Sequence, residues 1–138
     1  MRPSLASLAL TAAILMGACG ADTPEPSAAS GPSGAMGVMT AEAGAAAVAA
    51  LCDLRSAPDL DVANATFFDR AHQTLHVLAA ATETVDRVPS AALLEAKQRV
   101  EADLRFDTLP PGFRADVEAL LDAVRAALEA VALPDRGC

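Results

Sequence analysis

Phe113, Val117, Leu120, Val124, Ala127 and Val131 are spaced by alternating fours and threes, and this spacing constrains the fold more than any other feature of the chain. An α-helix turns about 100° per residue, so these six side chains line one face; a strand would scatter them over both. Charged residues, among them Arg114, Glu118, Asp122 and Arg125, take the other positions. The helix therefore has one apolar stripe to bury and needs near-antiparallel neighbours to bury it against.

The same rule supplies those neighbours upstream. Thr40 is a suitable N-cap, and a first helix is expected from Ala41 to about Arg55, with Val48, Leu51, Cys52 and Arg55 at helical intervals. That places Cys52 on the stripe facing the core. Ser56-Ala57-Pro58-Asp59 ends this helix, and Asp59 or Asp61 caps a second expected to run to about Arg87, with Phe67, Ala71, Leu75, Leu78, Thr82 and Val85 along one side. Val88-Pro89-Ser90 is expected to break the chain. A third helix, over residues 90–106, turns Leu93, Ala96, Val100 and Leu104 inward and sets Glu95/Arg99 and Glu101/Arg105 as i,i+4 pairs on its outer face. Leu109-Pro110-Pro111-Gly112 forces a turn before the last helix, which is expected to reach about Ala132 and to be stopped by Pro134.

No segment alternates with period two. The expected fold is all-α, an up-down bundle of about four helices over residues 40–138. Abundant alanine and four phenylalanines, with no Trp or Tyr, give a core of small side chains. Such a core leaves little room for a large aromatic-lined ligand pocket.

The chain ahead of the bundle has a different character. It begins with Arg2, an apolar run from Leu5 to Met16 and small residues around Ala18, the pattern of a cleaved secretory signal over residues 1–18. A permanent membrane span needs about 20 apolar residues, more than this run supplies. Leu15-Met16-Gly17-Ala18-Cys19 resembles the lipobox of bacterial lipoproteins, although Met16 stands where that motif usually has leucine. The resemblance implies that Cys19 becomes the mature N-terminus, carrying a diacylglyceryl thioether and usually an acyl chain such as palmitate on its amine. Two or more acyl chains hold a protein durably at a membrane. An ordinary secretory cleavage near Ala18 or Ala21, leaving a free thiol, is the alternative.

In a two-membrane envelope, Gly20 is not the aspartate that retains lipoproteins in the inner membrane. Residues 19–39, rich in Gly, Ser, Pro and Ala, read as a disordered tether with a root-mean-square span of roughly 25 Å. The runs LCDLR, FFDRAHQTLHVLA and LLEAKQRVEADL resemble uncharacterised small helical lipoproteins of GC-rich bacteria. That second resemblance implies a fold and a compartment on the extracytoplasmic side of a membrane, and no activity.

Charge narrows the partners. The formal balance of -8 becomes more acidic once Arg2 is removed with the signal, and such a surface repels phosphate backbones, so nucleic acid is not an expected partner. Attraction to an anionic lipid surface is likewise not expected, which leaves the lipid as the membrane contact and an acidic face for another protein. With Cys19 committed to lipid, Cys52 and Cys138 remain in an oxidising compartment and are expected to pair. A buried thiol at Cys52 and a frayed tail at Cys138 are the alternative.

The two histidines, His72 and His76, lie one helical turn apart in HQTLH. The spacing matches the zinc-peptidase motif HExxH, but Gln73 replaces the glutamate, and a neutral amide cannot take a proton from metal-bound water. Uniform helical geometry places Asp69, His72, His76 and Glu83 along one flank, so His72, His76 and Asp69 are the candidate ligands of a zinc or copper site. Glycines are concentrated in the signal, tether and turns rather than in a phosphate-binding loop, the serines lie mainly in the tether and at helix starts, and neither Cys52 nor Cys138 sits beside a histidine in sequence. The expected role is therefore non-enzymatic, a binding or envelope-structural module, with a zinc- or copper-binding protein as the alternative.

Overall fold

The computed structural model describes residues 38–138. The expected signal peptide, Cys19 and most of the expected tether lie outside the described residues. The remainder is all-α, with helices α1 (Ala41–Arg55), α2 (Leu60–Thr66), α3 (His72–Glu83), α4 (Arg87–Asp103) and α5 (Phe113–Ala130). A π-helical turn, Phe67–Ala71, joins α2 to α3, so these two form one continuous rod and the bundle has four members.

Three of the four starts are fixed by side chains that satisfy otherwise orphaned backbone donors. Thr40 Oγ1 accepts from Ala43 N at 3.1 Å, Asp59 Oδ1 from Val62 N at 2.9 Å and Asp86 Oδ1 from Val88 N at 2.9 Å. The Asp86 cap corrects one expectation. The second rod stops at Glu83, and Val88-Pro89-Ser90 forms the first turn of α4 instead of breaking the chain. Proline is tolerated there because N–H groups in a first turn have no intrahelical acceptor to lose. Val85, expected on the inner stripe, consequently lies in the turn and is exposed.

The last helix also ends slightly earlier than expected. Ala132 takes a left-handed conformation (φ 56°), while Leu133 N donates to Leu128 O and Ala132 N to Glu129 O, both at 2.9 Å. These are the two bonds of a Schellman cap, so α5 is closed by its own backbone before Pro134 is reached.

α5 lies against α1, α3 and α4. Its expected face is inside: Phe113, Val117, Leu120, Val124 and Ala127 are buried, joined by Leu121 and Leu128. Opposite them are Leu51 and Leu54 of α1, Leu75 and Leu78 of α3, Leu93 and Val100 of α4, and Phe67, the largest fully enclosed side chain. Small residues set how close the rods come. A Cβ added at Gly44 would stand 2.8 Å from Leu128 Cδ2, so the Leu128 methyl packs directly over Gly44 where α1 and α5 meet.

Candidate functional site

The ionisable cluster of greatest interest lies between α3 and α4, immediately after the π turn. In that turn the His72 N–H reaches Phe67 O, five residues back. The wider turn delays the helical phase by about one residue, which separates the direction of Asp69 from that of His72 and His76. Phe67 and Phe68 meet at 5.1 Å, and the His72 ring lies 5.7 Å from the first and 5.3 Å from the second. The His76 ring stands edge-on to His72 at 4.8 Å.

The carboxylate that His72 meets comes from α4. His72 Nε2 is 2.9 Å from Glu101 Oε1, and Lys97 Nζ donates to the same oxygen at 2.6 Å. Lys97 is the more enclosed member, with 5% of its side chain exposed against 18% for Glu101. The expected Glu101/Arg105 pair is therefore replaced by an inward one, whereas Glu95/Arg99 forms as expected at 2.7 Å. Burial pushes the Glu101 carboxyl up, but the bond and charge of Lys97, with those of His72, outweigh it and hold the group below its ordinary value. Desolvation, then the Lys97 and His72 charges, hold His76 below the ordinary imidazole value against the opposing pull of Glu101.

Asp69 is exposed on the π turn and Glu83 is exposed at the end of α3. Among the described residues no group of three or more His, Cys, Asp or Glu side chains is placed to hold a metal ion. The structure thus brings His72 and His76 together without Asp69, and adds a lysine ammonium where a metal-ligating carboxylate would have to be free. Lys97 escaped notice in the sequence, and Glu101 was assigned to Arg105 on the outer face, although a signal was present. Lys97 is the single lysine of the chain, four residues from both Leu93 and Glu101.

Cys52 and Cys138 form a disulfide with Cα atoms 5.7 Å apart, spanning 86 residues. Cys52 packs against the core as expected, and Cys138 is exposed. The tail is guided to it. Arg125 Nε holds Asp135 Oδ2 at 3.2 Å, and Asp135 Oδ1 accepts from Gly137 N at 2.8 Å. Gly137 adopts φ 65°, a conformation glycine takes without strain.

An acidic pair, Asp103 and Asp116, joins α4 to α5. Burial, then the charge of Asp116 and a hydrogen bond with it, push the Asp103 carboxyl up, and Asp103 Oδ2 is buried without a partner. A raised carboxyl stabilises the fold fully below its unfolded pKa, and that contribution is lost as pH rises through the folded value. Asp103→Asn is therefore expected to raise the unfolding free energy by about 1 kcal/mol at pH 7. Little gain is expected near pH 3; urea titrations at the two pH values check the difference.

An open groove of about 470 Å³ lies between residues 58–61 and 107–109. Of its three aspartates, Asp59 is already engaged as the α2 cap. No family model matches the chain, and no curated protein or solved structure shows significant similarity to it.

Proposed function

We propose that this chain is a lipid-anchored, extracytoplasmic helical-bundle protein that serves as a non-enzymatic binding or envelope-structural module. The observation that carries the reading is the allocation of three cysteines. Cys52 and Cys138 are joined to each other, and the odd cysteine, Cys19, is the one that closes the lipobox-like run Leu15-Met16-Gly17-Ala18-Cys19. A disulfide closing the domain also suits an exported protein. No described helix is long and apolar enough to cross a membrane, and the reading assigns attachment to the acyl chains alone. The acidic surface is then what the module offers to a protein partner.

Metabolic labelling with a radioactive or clickable fatty acid tests the anchor. Wild type is expected to take up label and Cys19→Ala to take up none; equal labelling of the two would remove the reading.

The alternative, zinc or copper binding at His72 and His76, rests on the 4.8 Å approach of their rings. Calorimetric titration with both metals is expected to give the same weak heats for wild type and for His72→Ala/His76→Ala. A stoichiometric heat lost in the double variant would favour the metal reading instead.

A further inference from the structure

One end of the bundle collects the start of α1, the end of α3, the start of α4 and the end of α5. Three contacts establish this. Gly44 lies against Leu128, Thr82 Oγ1 donates to Ala127 O at 3.4 Å, and Ser90 Oγ donates to Ala79 O at 2.9 Å. The chain enters the bundle at this end, because Val38, Met39 and the cap Thr40 lead directly into α1.

The same end carries the most exposed large apolar side chains of the described residues: Val38 at 87%, Val88 at 77% and Val85 at 65%, ahead of Phe106 at 59%. Single exposed valines are ordinary on a protein surface. What distinguishes these three is that they share the end from which the tether leaves.

We propose that this end rests on the membrane that holds the lipid, with Val85 and Val88 of the α3–α4 turn entering the headgroup layer. The inference rests on the anchoring proposed above. About twenty residues separate Cys19 from Val38, and read as a flexible tether that length would span roughly 25 Å. α5, with 18 residues, is about 27 Å long. The leash thus holds the entry end near the surface more often than the far end, where Phe106 lies beyond the close of α4.

Charge selects the kind of surface. Glu42, Glu83, Asp86 and Glu129 are exposed around this end, against Arg87, so an anionic bilayer repels it. A zwitterionic phosphatidylcholine-like surface leaves the valines free to partition. Apolar side chains in a turn enter the interface by burying area, as interfacial segments do, and the covalent lipid supplies the local concentration that two valines lack.

The chain has no tryptophan, so a single introduced indole reports its own surroundings. V85W, V88W and F106W are made in the full-length lipidated protein and bound to phosphatidylcholine vesicles, plain or with acyl chains brominated near the headgroup. All three are expected to float with the vesicles. V85W and V88W emission is expected to shift to the blue and fall at least two-fold in brominated vesicles, while F106W stays unchanged.

Flotation with unquenched V85W and V88W would overturn the lipid contact and leave that end to a protein partner. Equal quenching of F106W would also overturn it, since indole partitioning alone would then account for the signal. Protein that fails to float would overturn the anchor and this contact with it.

Discussion

Replacing Cys138 with serine is expected to lower the unfolding free energy by about 4 kcal/mol, because the bond it removes spans 86 residues and loop-entropy loss for a ring of that size is roughly 4–5 kcal/mol. Cys138 is the better site for the substitution, since it is exposed while Cys52 packs against the core. A domain of this size has only about 5–15 kcal/mol in total, so the variant loses a large share of its stability. Urea denaturation of wild type, of reduced wild type and of Cys138→Ser measures the loss. The last two are expected to agree. A difference below about 1 kcal/mol between oxidised and reduced protein would contradict the loop-entropy account of this bond.

The second large effect is expected at Glu101. Glu101→Ala leaves the Lys97 ammonium, 5% exposed, without its 2.6 Å partner, and uncompensated buried charge typically costs about 3–5 kcal/mol. Lys97→Met/Glu101→Leu removes both charges and keeps the volume, and is expected to lie within about 1 kcal/mol of wild type. The difference between single and double variants separates the cost of stranding a charge from the net worth of the pair.

pH adds a signature. Because the folded Glu101 carboxyl is held below its ordinary value, its contribution is complete above the unfolded carboxylate pKa and disappears as pH falls through the lower folded one. His76, also held down, adds a loss that begins at higher pH, as acidification passes the ordinary imidazole range. Asp103 runs the other way, so the three groups are distinguishable by pH and not only by substitution.

The bundle was legible because its helices obey one period. The inner face of α5 could be read residue by residue from Phe113 to Ala127, and Leu93, Ala96, Val100 and Leu104 of α4 followed the same rule. Legibility failed where a local interaction overrode the pattern. Pro89 looks like a break until the Asp86 carboxylate is seen to start the helix before it. The π turn is invisible to a scheme of uniform rotation, and it is why Asp69 parts company with His72 and His76. Glu101 had two candidate partners at one turn's distance, Arg105 and Lys97. Burial decided for Lys97, and burial is a property of the packed bundle rather than of the spacing. Cys52 and Cys138 could be matched by count and compartment, but the path between them, past the Arg125–Asp135 contact and the turn at Gly137, is not written in any periodicity.

Intact mass spectrometry of the membrane-extracted protein under non-reducing conditions reads at once how the chain divides its three cysteines. The expected species begins at Cys19, carries at least two acyl chains, and gains two hydrogens on reduction as Cys52 and Cys138 part. An unacylated protein with a free Cys19 thiol, or an acylated one whose mass does not change on reduction, would contradict that division.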